Sequence, residues 1–451
     1  MTGAPYDGPV SSSSPFGGSN PFEHLLGDLI KLISNAGPMQ WDLARQLAHA
    51  VATDGQPETN VEPVDRIRLE ELIRVADLHV STLTGLPTST TGHLVTVRPV
   101  TRSEWAWRAL EAWRPLIESL ATSITRPPGG RAPGGGQGGQ EPPGGPLPGS
   151  EHPTAGPAGL DEQKWPGEFL PEPGEAGDSG GDAGLMGLLG NLGQAIGPAM
   201  LGLQVGSAIG HLARRAMGPY VLPVPWPPGD ELLLVPANIS SFTTDWSLPG
   251  DEVRLWVCLS ELTHHAVIGR PHVRHRLNQL INDYVGGFRI DPSALESRLS
   301  GVDPTDPASL QAALGDPTAL LGELQTPEQR RVLGQLGAVV MALEGYVDHV
   351  MDSVGHQLIG SYPALTEALR RRRVERDGGE RMVEQLFGLE LSQARFDRGT
   401  AFIRGVVERA GEDALARLWQ SDATLPTPAE IDAPGLWLAR IELLDQPDPE
   451  G

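Results

Sequence analysis

The sequence predicts a mainly α-helical protein with a small β element. Three observations carry that expectation. Apolar residues recur at helical spacing along most of the 451-residue chain, one short run alone has strand character, and a long Gly- and Pro-rich stretch separates the helical parts.

Taken in order, Met1 to Asn20 is a Gly, Ser and Pro tract with neither a basic n-region nor an apolar h-region. Residues 1–20 are therefore expected to be a disordered N-terminus and not a secretory signal. Residues 21–126 read as an N-terminal helical segment. Leu69, Leu72, Ile73, Ala76 and Val80 share one helical face, and Pro63 just ahead is a start signal. A second amphipathic stretch runs from Ser103, a candidate cap, to Ala121; Trp105, Leu110, Trp113 and Ile117 supply packing bulk and Pro115 a kink. Residues 127–184 are about half Gly plus Pro, which buries too little apolar surface to offset the entropy of ordering. They are expected to form a disordered acidic linker.

Residues 185–444 are expected to form a helical domain. Leu185 to Ala213 is apolar, with seven glycines between Gly187 and Gly210, and is long enough to span a bilayer. Asn191, Gln194, Gln204 and His211 interrupt it and Pro198 breaks it, so two close-packed buried helices are expected, and no membrane span. Glu231 to Val235, between Pro228, Gly229 and Pro236, is the strand. Helices follow over about 251–268, 271–286, 307–323, 327–357, 363–376, 379–411 and 412–420, and residues 445–451 are an acidic tail.

Charge narrows the function. The net charge is −23, but Pro127 to Gly184 holds nine acids against two bases, and Ser421 to Gly451 seven against one, so these stretches carry −13 of it. No broad basic balance suits phosphate, so nucleic acid is not an expected partner. Cys258 is the only cysteine, which removes disulfides, zinc ribbons and CxxC redox chemistry and makes the cytoplasm the expected compartment. Arg370 to Arg373 is the one basic run. It reads as a solvated helix C-terminus ahead of Gly378 and Gly379, or as a phosphate- or partner-docking patch.

The most informative run is Leu255 to Ile268, LWVCLSELTHHAVI, an apolar helix interrupted by Ser260, Glu261, Thr263, His264 and His265. Buried helices rarely carry such polarity without a purpose. In a zinc hydrolase helix of pattern HExxH, two histidines one turn apart take the metal and the glutamate activates water. The register matches at Glu261 and His264, while Ser260 stands in place of the first histidine. Downstream, in LEGYVDHVMD from Leu343, Glu344 and Asp348 lie one turn apart, the spacing of a third metal ligand and an acid that orients a histidine.

These residues, with ELLLVPANI from Glu231 and HVRHRLNQLINDYVGGFRIDP from His272, resemble the zincin-like metallopeptidase family of actinobacteria. Its members are often labelled hydrolases, and some are associated with deazaflavin coenzyme biosynthesis. The resemblance implies a zincin-like metallopeptidase fold with an N-terminal helical segment, zinc as cofactor, His264 and Glu344 as ligands, Glu261 as general base and Asp348 behind them. Ser260 departs from the motif at a ligand position. That departure leaves a weak site, no metal, or a site relocated to His265 or His349, or to His272 and His275, which alternate with Arg274 and Arg276. The expected function is a zincin-family hydrolase whose activity is weak, altered or lost. The alternative is a non-catalytic zincin-fold protein serving binding or assembly. A peptide or protein is the expected partner, aligned by backbone pairing near Val235; oligomeric state is not legible in the sequence.

Overall fold

The computed structural model describes residues 39–125, 201–288, 326–375 and 378–444. The expected N-terminal tract 1–20, the linker 127–184, residues 185–200 of the expected helix pair, the helix over 307–323 and the tail 445–451 lie outside the described residues.

The first described part holds α1 (Trp41–Thr53), α2 (Pro63–Thr84), β1 (Thr96–Pro99), α3 (Arg102–Ala112) and α4 (Arg114–Thr125). Helix α2 begins at Pro63, whose missing N–H costs nothing in a first turn, and Leu69, Ile73, Ala76 and Val80 are buried. The cap of α3 is Thr101, not Ser103. Thr101 is extended, and its hydroxyl accepts the Glu104 N–H, whereas Ser103 already lies within the first turn and hydrogen-bonds Glu58. The helix breaks at Trp113, two residues before Pro115.

Glu231–Leu234 forms β2, and it is not alone. It pairs in parallel with β1, Thr96 opposite Glu231 through Pro99 opposite Leu234. Four residues ending in proline give β1 no period-two signature, and proline is tolerated there because the strand lies at an edge.

Residues 201–213 form α5. Its Gly206 and Gly210 face the Ala44 and Ala48 carbonyls of α1 so closely that a Cβ at either position would collide with them. Gly206 and Gly210 thus serve close helix packing. Among the described residues, no helix is long and apolar enough to cross a membrane.

The remaining helices are α6 (Pro236–Asp245), α7 (Gly250–Ile268), α8 (Pro271–Gly286), α9 (Pro327–Leu358), α10 (Tyr362–Val374), α11 (Gly378–Leu386), α12 (Gln393–Ala410), α13 (Pro428–Asp432) and α14 (Pro434–Leu444), with a 3₁₀ segment at Glu412–Trp419. The stretch 379–411, expected as one helix, is two. Gly388, at φ +70°, ends α11 with a reversal only glycine adopts readily, and Leu389 N–H caps Glu384 O. Gly378 and Gly379 open α11 and do not close α10, which ends at Val374.

Two long helices form the centre. Helix α7 packs against α2, α6, α8 and α9, and α9 against α7, α8 and, most extensively, α12. Helix α9 has 32 residues, about 48 Å at 1.5 Å per residue, and starts with a Thr326/Gln329 capping box. It meets α12 where Gly345 and Gly399 bring the backbones into contact. This crossing sits one residue from Glu344 and sets its height beside α7. The C-terminal acids are not all solvated either. Glu430 is buried, closes the cap of α13 and pairs with Arg440 Nε at 2.6 Å, so these helices belong to the core.

Two measurements test this packing. Gly399→Ala would drive a methyl into the Met341 carbonyl, and denaturant titration should show a loss of about 2–3 kcal/mol, whereas Gly286→Ala, with nothing within 4 Å, should be near neutral. Burial works against the Glu430 carboxylate, but Arg440 outweighs it and holds the pKa below 4.5. A depressed folded-state pKa contributes stability above the unfolded value that is lost as pH falls through the folded value. The stability gap between the wild type and Glu430→Gln should therefore be full above about pH 5 and narrow in acid.

Candidate functional site

Every side chain of α7 from Val257 to Ile268 is buried. Five of them are polar, so each must find a partner inside the protein. Thr263 Oγ1 donates to Leu259 O at 2.7 Å, which satisfies it within its own helix. His264 Nδ1 lies 2.8 Å from Ser260 O, so the ring donates there and turns Nε2 outward. Nε2 then stands 3.4 Å from Glu344 Oε1 of α9, off the line of a hydrogen bond. The structure thus brings His264 and Glu344 together from residues 80 positions apart. Burial works against the imidazolium, but the adjacent Glu344 carboxylate outweighs it and raises the His264 pKa.

Glu261 reaches the turn Pro219–Val221. Its Oε2 accepts the Tyr220 N–H at 2.9 Å. Burial dominates its ionisation and pushes the pKa up to about 7, helped by Glu344 and opposed by His264 and the Tyr220 N–H. Gly218 is required here because a Cβ would occupy the space of the Glu261 carboxylate.

Tyr220 is the residue that sequence reading missed. Its ring stacks on His264 with centroids 5.9 Å apart and planes 11° apart, and its hydroxyl meets His265 Nδ1 at 2.8 Å. His265 Nε2 in turn faces Asp230 Oδ1 at 3.6 Å, and Asp230 accepts from Ser89, Thr90 and Thr91. His265 is therefore held on the side of α7 toward the 88–92 loop. Burial lowers its pKa.

Three anchors fix the segment that carries Tyr220. Trp105 Nε1 donates to Gly218 O at 3.1 Å, Trp226 Nε1 to Pro219 O at 2.8 Å, and Val235 N–H to Met217 O at 2.9 Å. The Val235 N–H, in the strand region expected to align a peptide, is thus bonded within the chain. Asn238 donates to Ala213 O and Ala216 O at 2.8 and 2.6 Å and accepts Arg102 Nε at 2.6 Å. No periodic pattern marks these contacts; the only sequence signal was the concentration of tryptophan in a chain poor in aromatics.

Ser260, Glu261, His264 and Glu344 line a cleft of about 170 Å³. Arg215, Arg372 and Arg373 line it too, with Glu380, Glu384 and apolar Trp256, Leu222 and Phe396. The basic run is consequently divided. Arg370 and Arg371 pair with Glu367 at 2.8 and 2.7 Å on the surface, while Arg372 and Arg373 turn toward the cleft. Asp348, expected behind a histidine, instead receives Arg373 through two hydrogen bonds of 2.9 and 3.2 Å, with Arg373 over the Phe396 ring. His349 lies 3.9 Å from Glu412 and outside the cleft, His275 is exposed, and His272 does not line the cleft either.

Whether zinc fits can be judged from the donors. Ligands at about 2.0–2.2 Å in tetrahedral array stand roughly 3.3 Å from each other, close to the His264–Glu344 spacing of 3.4 Å. A catalytic zinc takes three protein ligands. Ser260 offers a hydroxyl where an imidazole would be, Glu261 is turned to Tyr220, and among the described residues no three His, Cys, Asp or Glu groups converge to hold a metal ion. The residues present do not fit a conventional catalytic zinc.

A helical scaffold in which an ExxH helix faces a glutamate on a second long helix defines a zincin-like protein. The sequence agrees: residues 39–438 match the family of zincin-like metallopeptidases. The chain belongs to that family, and its mostly helical structure with one two-stranded parallel sheet is a zincin-like fold. A crystal structure from Chloroflexus aurantiacus, described as "a putative hydrolase with a novel fold", is similar in fold at a TM-score of 0.57 and 21% identity, over 90% of this chain and 99% of that one. No curated protein matches the chain.

Asn238 provides a test of how the site is held. Asn238→Ala removes both donors to the Ala213 and Ala216 carbonyls and strands them in the interior, and should cost about 2–3 kcal/mol in denaturant titration.

Proposed function

We propose that this protein carries an altered HExxH helix, that zinc-dependent peptidase activity is lost with the missing ligand, and that the cleft serves to bind a peptide or protein segment. The observation that carries this reading is Ser260. It occupies the position at which the HExxH pattern has its first histidine, one turn before His264, and a neutral hydroxyl is a weak zinc donor. What remains is a His264–Glu344 contact that ties α7 to α9 without a third ligand.

A second reading, hydrolysis at reduced rate, has one observation in its favour. The 3.4 Å spacing suits two ligands of a tetrahedral ion, and Glu261 is retained. Zinc content of the purified full chain separates the two, measured before and after addition of zinc and alongside a peptide-cleavage assay. The expected result is far less than one zinc per chain and no zinc-dependent cleavage. Stoichiometric zinc or cleavage abolished by a chelator would overturn the proposal. Ser260→His should raise zinc affinity at least about tenfold, because the lost ligand is then restored.

A further inference from the structure

The cleft has a charge arrangement that the zincin helix pair does not account for. Arg370, Arg371 and Arg373 each have a carboxylate within 3 Å, from Glu367 or Asp348. Arg372 has none within 4 Å among the described residues; it donates instead to the carbonyl of Arg215. Arg215 reciprocates, with Nη2 donating to Arg372 O at 2.8 Å, so the two side chains clasp one another's backbone. Two like charges are thereby held side by side, with Glu380 at 3.1 Å from Arg215 Nε. Burial and the neighbouring Arg215 depress the Arg372 pKa to about 10, against the opposing pull of Glu380 and Asp245. The Phe242 ring, 5.1 Å from the Arg372 guanidinium, and the backbone clasp restrict its orientation.

A guanidinium so restricted and lining a cleft is preorganised for an oxyanion. The rest of the lining selects which one. Trp256, Leu222, Leu369 and Leu391 line the same cleft as the arginines and as Ser260, Glu261, His264 and Glu344, with the carboxylates of Glu380 and Glu384. A ligand with an anionic group, an apolar body and amide groups matches this lining. We propose that the cleft receives the C-terminal carboxylate of a bound peptide, with Arg372 as the direct contact and Arg215 as the residue that positions it. The inference rests on the peptide-binding reading above and adds to it which part of the peptide α10 holds.

The test is calorimetry on the full chain with N-acetyl-Ala-Ala-Leu as free acid, the same peptide as C-terminal amide, and inorganic phosphate. The free acid should bind at least about tenfold more tightly than the amide. Arg372→Met should bring acid and amide to parity, Arg372→Lys should retain part of the preference, and Arg370→Met, at a surface pair, should leave it intact. Equal binding of acid and amide by the wild type would overturn the carboxylate assignment while leaving peptide binding standing. A preference unchanged in a folded Arg372→Met would also overturn it. Tight phosphate binding lost in Arg372→Met, without binding of either peptide, would overturn the peptide as ligand and assign the arginines to phosphate. No binding by any probe would overturn both this inference and the reading on which it rests.

Discussion

The structure depends on keeping a charged helix turn dry. From Val257 onward α7 has no solvent face, yet it carries Glu261, His264 and His265, and an unpaired ionisable group in such a place costs several kcal/mol. Each of these side chains therefore dictates what its neighbours must be. Glu261 requires a backbone N–H and a glycine at 218, His264 requires the Glu344 carboxylate from α9, and His265 requires the Tyr220 hydroxyl and Asp230. The Gly345–Gly399 crossing that positions Glu344 and the tryptophans that hold the Tyr220 segment follow from the same need.

This also shows how the helices before residue 126 bear on the site. Trp105 and Trp113 pack edge to face at 6.2 Å, both against Trp226, and Trp105 donates to the residue before Pro219. Their indoles are buried mass with one polar edge, and the edge of Trp105 is spent on the turn that covers Glu261. The β1–β2 pair does similar work at its far end. Asp230, just before β2, gathers the hydroxyls and amides of Ser89 to Thr91 and stands beside His265. The cleft is thus held by contacts from the N-terminal helices and from the β1–β2 pair as well as by α7 and α9.

Much of the helical scaffold was legible because its signals are local. Pro63 opens α2, Pro115 lies beside a break, and the apolar spacing of residues 251–286 and 327–357 matches α7, α8 and α9. The misreadings occurred where the deciding partner was distant or the segment short. β1 is four residues long and becomes a strand by pairing with residues 135 positions away. Arg372 and Arg373 look like a solvated helix end until Asp348 and Arg215 are placed against them. The acids after Ser421 resemble a charged tail until Glu430 meets Arg440 and caps α13.

For the site, the sequence by itself determined the chemical inventory. Glu261 and His264 are one turn apart on any helix, Ser260 is not histidine, and Glu344 and Asp348 share one face of another helix. These statements need only the helical repeat. Tertiary structure decided what each group does with its charge, because ionisation, tautomer and ligand geometry depend on atoms within a few ångströms that the chain supplies from afar. It set His264 against Glu344, gave Glu261 to the Tyr220 backbone, took Asp348 for Arg373, and left Arg372 facing the cleft beside Arg215.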